Sequence, residues 1–245
     1  MNHLVWLHRR YTYLTSPISF LVRNFIKIVG IQLNIFDENN ICLDIGAGTA
    51  PYKAYIKKQW GDCEYISLDI AANDTTDVVG SATQLPFKSG SIGTVISFDV
   101  LQHIPDYLTT IYEIHRVLTP QGRFLISFPF NYSECDFADF RRWTLEGMSF
   151  DLRENGFEIV IAKQRGGRFF CFACSLNWVF QHLIPGQRSG WRSKKTVKTA
   201  FFSTILIFIT IPTMALQWIM LAIDLIFPNK GCYMGGLILA KKKTP

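Results

Sequence analysis

Between residues 40 and 163, short apolar runs alternate with stretches whose apolar residues recur at helical spacing. Alternation of that kind marks βαβ units feeding a parallel sheet. The runs at 41–45, 65–69, 77–80, 94–98, 123–128 and 157–162 predict six strands, and 235–240 predicts a seventh near the end of the chain. Helices are expected over 51–60, about 108–118 and about 144–155. Pro51 suits the first turn of its helix, where a missing N–H costs nothing, and Gly156 is a stop signal behind the third. Pro120, Gln121 and Gly122 predict a turn just ahead of the fifth strand. The fold class implied is α/β, a doubly wound, seven-stranded, mostly parallel sheet.

The rhythm breaks after the sixth strand. Residues 164–234 form a 71-residue insert: aromatic over about 168–184, basic over 188–198 and apolar over 200–227. The apolar run holds 28 residues and one charge, Asp224, where a membrane-spanning helix needs only about 20 residues. Ile211-Pro212 interrupts it, and proline inside a helix breaks or kinks it. Lys194, Lys195 and Lys198 precede the run, while Lys230 and Lys241 to Lys243 follow it. Positive charge on both sides assigns both ends to the cytoplasmic compartment, and the last strand must return to its sheet. A helical hairpin dipping into one leaflet meets all these conditions; a buried helix pair packed on the domain is the alternative. Residues 1–37 read as an N-terminal helical segment without the apolar core or cleavage site of a secretory signal. The expected boundaries are 1–37, a core at 38–163, the insert at 164–234, and the final strand with a basic tail at 235–245.

Composition agrees with this division. Hydrophobic residues make up 49% and charged residues 18%, against about 25% charged in an average domain. Residues 1–158 carry 13 Lys/Arg and 18 Asp/Glu, a net of −5; residues 159–245 carry 12 and one, a net of +11. Cations beside apolar runs suit an anionic membrane surface better than nucleic acid. The six cysteines show no disulfide-framework spacing, and Cys171 and Cys174 lack the second pair that a metal site needs. They read as two small residues on an apolar helix, in a reducing, cytosolic setting.

The candidate chemistry begins where the first strand meets its helix. Gly46 and Gly48 let backbone approach a ligand with no Cβ in the way, at the sheet edge where doubly wound folds bind nucleotides. A dinucleotide fingerprint wants a third glycine where this chain has Pro51. Asp44 before the glycines is electrostatically wrong for a pyrophosphate and right for a cationic or amino-bearing ligand. Asp69 ends the second strand 21 residues after Gly48, where an acid accepts ribose hydroxyls.

At this point the sequence resembles the class I S-adenosylmethionine-dependent methyltransferases, in particular the type-11 branch. The matching pieces run in family order: Leu43-Asp-Ile-Gly-Ala-Gly-Thr49, Ser67-Leu-Asp-Ile70, Gly80-Ser-Ala-Thr-Gln-Leu-Pro-Phe87, Val95-Ile-Ser-Phe-Asp-Val-Leu-Gln-His-Ile104 and Arg116-Val-Leu-Thr-Pro-Gln-Gly-Arg-Phe-Leu125. The resemblance implies a Rossmann-like methyltransferase fold and S-adenosylmethionine as cofactor. Asp44 would hold the methionine amino group, with Gly46 and Gly48 under the methionine and ribose. Asp69 would take the ribose hydroxyls, Ile70 would pack on the adenine, Ala82 would meet its edge, and Phe98 would line the methionine side. Ser81 stands where many relatives carry an acid for the adenine amino group.

Residues 139–144, Asp-Phe-Arg-Arg-Trp-Thr, also look like a family element. Arg142 would clamp a phosphate or carboxylate of the acceptor, or else pair internally with Asp139. A general base is needed only for a hydroxyl or protonated-amine acceptor. His103 is the first candidate, with Tyr132, Asp136 and His115 behind it; His182 reads as interfacial. The expected acceptor is a small molecule or a lipid-linked glycan, quinone or other lipid, presented where the insert docks the site against a membrane's cytoplasmic face. An RNA methyltransferase using the basic tail and a non-catalytic membrane scaffold are the alternatives.

Overall fold

The protein is seen in a computed structural model that describes residues 16–33, 41–61, 63–134, 138–182, 198–228 and 231–243, with backbone alone at 180–182 and 198–210. Two compact units emerge: a sheet unit (Val22–Phe130, Phe140–Gln164, Gly235–Pro245) and a helical unit (Met1–Leu21, Asn131–Asp139, Arg165–Met234).

The sheet unit is built on β1 (Ile41–Ile45), β2 (Glu64–Asp69), β3 (Val78–Val79), β4 (Ile92–Phe98), β5 (Leu118–Pro129), β6 (Phe157–Arg165) and β7 (Gly235–Lys242). Their order is β3-β2-β1-β4-β5-β7-β6. β1 runs parallel to β2 and β4, β2 to β3, and β4 to β5; β7 is antiparallel to β5. The order reverses between β1 and β4, so a crevice opens there at the strands' carboxyl ends.

Helices cover both faces. On one, α1 (Pro17–Leu33) and α2 (Lys53–Trp60) bury Phe25, Ile26, Ile56 and Trp60 against Cys42, Ile96 and Leu239. On the other, α3 (Tyr107–Val117) and α4 (Leu145–Glu154) bury Ile111, Ile114 and Leu152 against Leu43, Val95 and Phe124. Strands covered on both sides lose the polar alternation of a half-exposed sheet, hence the continuous apolar runs. Asp106 caps α3 by accepting from Thr109 N at 3.1 Å, and Thr144 caps α4 by accepting from Gly147 N at 3.0 Å.

Two boundaries differ from expectation. The helix expected from Pro51 starts at Lys53, because Ala50 takes a left-handed conformation (φ 46°) and closes a turn through Lys53 N to Ala50 O at 3.2 Å. The turn expected before the fifth strand lies inside it instead. Leu118 pairs with Ile92 and Arg123 with Thr94, so the residues between them bulge, with Gln121 at φ 63°.

The helical unit holds α5 (Arg168–His182) and α6 (Lys198–Ile226). The hairpin expected to break at Ile211-Pro212 is corrected: one 29-residue helix continues through Pro212. Proline costs the helix one hydrogen bond and a steric clash, about 3 kcal/mol, and contacts beyond it hold the path. Thr213 Oγ1 donates to Asn177 Oδ1 at 2.8 Å. The Asp224 carboxylate accepts from the N–H groups of Gly167, Phe169 and Phe170 at 3.1, 3.2 and 2.8 Å, capping the start of α5. Leu221, Phe170, Cys171, Cys174 and Met234 form the apolar centre, and both cysteines are free thiols. Among the described residues no helix is long and apolar enough to cross a membrane.

Candidate active site

The turn after β1 is pinned from below. Gly46 N and Ala47 N donate to Leu68 O on β2 at 2.8 and 3.1 Å. Gly46 (φ 69°) must be glycine for two reasons: a Cβ would be strained there and would meet Val100 Cγ1 at 2.5 Å. Gly48 (φ 54°) faces the opposite situation, since nothing lies within 4 Å of where its Cβ would stand. Its carbonyl accepts from Asn73 Nδ2 at 2.9 Å and Thr75 Oγ1 at 3.0 Å. An anchored backbone therefore borders open space.

Two carboxyls flank that space. Asp44 is buried, 4% exposed, and its Oδ2 accepts the Tyr65 hydroxyl. Burial pushes its pKa up from 3.8 to about 7; the Tyr65 bond pulls the other way, and the Asp69 charge adds to the rise. Burial, then the neighbouring Asp44 charge, raises the Tyr65 phenol as well. Asp69, at the end of β2, accepts from Gly48 N through Oδ2 at 2.9 Å and from Ala71 N through Oδ1 at 3.0 Å. A carboxylate has about four acceptor positions, so each oxygen keeps one for a ligand.

The next residues extend the same edge. Ile70 is 80% exposed, an apolar side chain standing in water beside Asp69. Ser81 Oγ pairs with Thr83 Oγ1 at 2.8 Å, while Ala82 packs on the core. Their loop is held by Glu113, which accepts from Leu85 N at 2.8 Å, and by Arg116, which donates to Phe87 O and Leu85 O at 2.8 and 3.0 Å. The Arg116 bond keeps the Glu113 carboxyl below its usual range. Phe98, ending β4, meets Tyr52 edge-on at 5.1 Å between centroids. His103 closes a short 3-10 turn (Leu101–His103); its Nε2 lies 3.1 Å from Gln102 Nε2, which donates to Asp99 O at 2.7 Å. Arg142 donates to the neighbouring Arg141 carbonyl at 2.8 Å, and Arg141 reaches Pro105 O at 2.7 Å and covers the Tyr107 ring.

Asp44, Gly46, Gly48, Asp69, Ile70 and Phe98 thus share one sheet edge. Tyr132 belongs to the helical unit, where its ring meets Trp178 at 4.9 Å. Asp136, and the side chain of His182, lie outside the described residues. His115 is corrected as a candidate base. It stands at the end of α3, edge-on to Phe157, and its carbonyl accepts from Lys242 Nζ at 2.6 Å. That is the amino edge of the sheet, opposite the crevice, and burial lowers its imidazole pKa. A hollow of about 230 Å³ lined by Arg123, Glu158, Val160, Leu239, Ala240 and Lys241 also lies toward that edge. Tyr65, Asn73, Thr75 and Glu113 escaped the sequence reading. Register alone points to Tyr65, because it pairs with Cys42, two residues before Asp44 on the same face.

The strand order and its mostly parallel pairing are those of a doubly wound, Rossmann-like methyltransferase fold. Residues 43–126 match the methyltransferase domain family Methyltransf_11. A demethylmenaquinone methyltransferase of Staphylococcus saprophyticus is 31% identical over 128 residues, 46% of this chain and 54% of the relative. Malonyl-[acyl-carrier protein] O-methyltransferase 1 of Coxiella burnetii is 29% identical over 102 residues, 39% of this chain and 36% of the relative. The chain spans about half, or less, of the length of these curated relatives. In structure it is similar to a putative sarcosine dimethylglycine methyltransferase from Galdieria sulphuraria, with a TM-score of 0.59 at 16% identity over 92% of this chain and 86% of that one. At that identity the likeness is one of fold.

Proposed function

We propose that the protein is an S-adenosylmethionine-dependent methyltransferase acting on a membrane-associated or lipid-linked acceptor, a glycan, a quinone or another lipid, at the cytoplasmic face of a membrane. One observation carries the cofactor reading: a buried carboxyl at Asp44 and a second at Asp69 flank the open side of Gly48. A pyrophosphate would be repelled there, whereas an amino group and a ribose would find acceptors.

Bound there, S-adenosylmethionine supplies a methyl group on a sulfonium for in-line displacement, in which alignment and exclusion of water provide most of the acceleration. Asp44 offers its second oxygen to the amino group, and a cation there returns the carboxyl to its ionised form. Asp69 takes the ribose hydroxyls on its remaining acceptor positions. Ile70 offers an apolar face to the adenine, Ser81 and Ala82 bring backbone to its edge, and Phe98 with Tyr52 walls the methionine side. His103 receives the acceptor's proton where the acceptor is a hydroxyl or an ammonium. Arg142 clamps an anionic group of the acceptor.

Two facts support the acceptor class: the match to an enzyme named for demethylmenaquinone, and the net +11 of residues 159–245 around an apolar run. Calorimetry with S-adenosylhomocysteine tests the cofactor, and absence of heat would reject the enzyme and leave a scaffold. Incorporation of labelled methyl into a panel of polyprenyl-linked sugars, quinones and phospholipids tests the acceptor. Label entering RNA instead, with salt-sensitive binding and no need for lipid, would move the function to nucleic acid.

A further inference from the structure

Helices on the surface of a water-soluble protein turn polar side chains outward and apolar ones inward. From residue 211 onward α6 does the reverse. Its buried positions are Thr213, Gln217, Leu221 and Asp224, three of them polar. Its exposed positions include Ile211, Trp218, Ile219, Leu225 and Ile226, with Leu225 74% and Ile226 69% exposed. At about 100° per residue the exposed set fills one arc of roughly 120°, facing away from the buried set. Thr213 faces the neighbouring α5, where Asn177 accepts its hydroxyl, so the exposed arc of α6 lies on the side turned away from that contact. Phe20 stacks edge-on against Trp218 at 5.1 Å at the margin of the same face.

Two of the polar groups turned inward bond between the helices. Asp224 caps the start of α5, and Thr213 joins the two helices. Side chains that bond between helices while apolar ones point out are the arrangement of helices packed in hydrocarbon, where lipid, not the protein core, receives the apolar side. Between residues 211 and 228 the only charge is Asp224, and it is buried. Residues 159–245 carry 12 Lys/Arg against that one acid, with cationic side chains on both flanks of the apolar run, the complement of an anionic headgroup layer.

We propose that the outward face of α6 from residue 211 onward is a lipid-contacting surface, seated among the acyl chains of one leaflet of an anionic bilayer. The helix lies in that leaflet with Leu225, Ile226, Ile219 and Trp218 toward the hydrocarbon. This surface gives the proposed membrane-associated acceptor its physical setting, and to that extent it rests on that reading. Binding to lipid does not need the cofactor, so the two fail separately.

The test uses the full chain and vesicles of phosphatidylcholine with one quarter phosphatidylglycerol. Wild-type protein should float with them, less on pure phosphatidylcholine, and brominated acyl chains should quench fluorescence that the Trp218→Phe variant lacks. Ile219→Glu, Leu225→Glu and Ile226→Glu together should lower vesicle affinity by more than about a hundredfold, with an unchanged thermal transition because all three side chains are exposed. Asp69→Ala should float as the wild type does. Equal flotation of the triple variant, or no flotation of the wild type, overturns the surface. Overturning would also follow if the wild type proved a dimer that the three glutamates dissociate, with no vesicle binding, since the face would then serve a second copy.

Discussion

Tyr65 and Asp44 lie on the same face of adjacent parallel strands and share a hydrogen bond inside the sheet's carboxyl edge. The bond favours the ionised carboxyl, and burial disfavours it more strongly, leaving Asp44 to titrate near 7. A group balanced in this way responds to a nearby cation more than a solvent-exposed aspartate does.

Affinity for S-adenosylhomocysteine should therefore depend on pH through Asp44. Its amino group needs the carboxylate, which forms as pH rises through about 7. Affinity should climb between pH 5 and 7 by up to about tenfold per unit, then level off. Tyr65→Phe removes the bond that lowers the Asp44 pKa and should move the midpoint upward. Calorimetry across pH on both proteins checks this, and a flat profile would separate Asp44 from the ligand.

Stability should show the opposite sign. The folded-state pKa of Asp44 lies above its unfolded value of 3.8, so folding holds the proton. The resulting penalty is absent below pH 4, grows to pH 7 and stays constant above it. Asp44→Asn should raise stability to denaturant at pH 8 by on the order of 2–4 kcal/mol, do little at pH 4, and lose the cofactor.

Gly46→Ala and Gly48→Ala should separate folding from binding. Each puts a Cβ on a left-handed residue, at about 1–2 kcal/mol. At position 46 that carbon also meets Val100 at 2.5 Å, adding to the loss. At position 48 it enters open space, so thermal unfolding should change modestly while cofactor affinity falls steeply.

Asp69→Ala should weaken S-adenosylhomocysteine binding by about tenfold to a hundredfold, the range expected for hydrogen bonds to a charged group. It also releases Gly48 N and Ala71 N. Asp69→Asn, which still accepts through one oxygen, should lose less. Direct calorimetric titration ranks the three proteins.

Much of this was readable in advance, for physical reasons. The central strands declare themselves because helices on both sides demand unbroken apolar runs, and Gly46 and Gly48 because the turn between them tolerates little else. Val78–Val79 is a two-residue strand, too short to define a period. Pro212 sits inside a continuous helix because bonds from Thr213 and Asp224 to α5 outweigh the local tendency of proline to end one. His115 has a suitable side chain at the wrong edge, and only the strand order tells the edges apart. Tyr65 becomes visible only once β1 and β2 are in register.

β6 and β7 are neighbours in the sheet, and bonds from Lys243 N to Gly156 O and from Met234 N to Arg165 O bracket their antiparallel pairing. The 71-residue excursion thus leaves and returns through a gap one hydrogen bond wide. Closing so long a loop instead of a tight turn costs only about 2–3 kcal/mol of chain entropy. Such a junction works like a socket: chain can be lengthened or shortened beyond it at little entropic cost while the pairing of β6 with β7 stays the same.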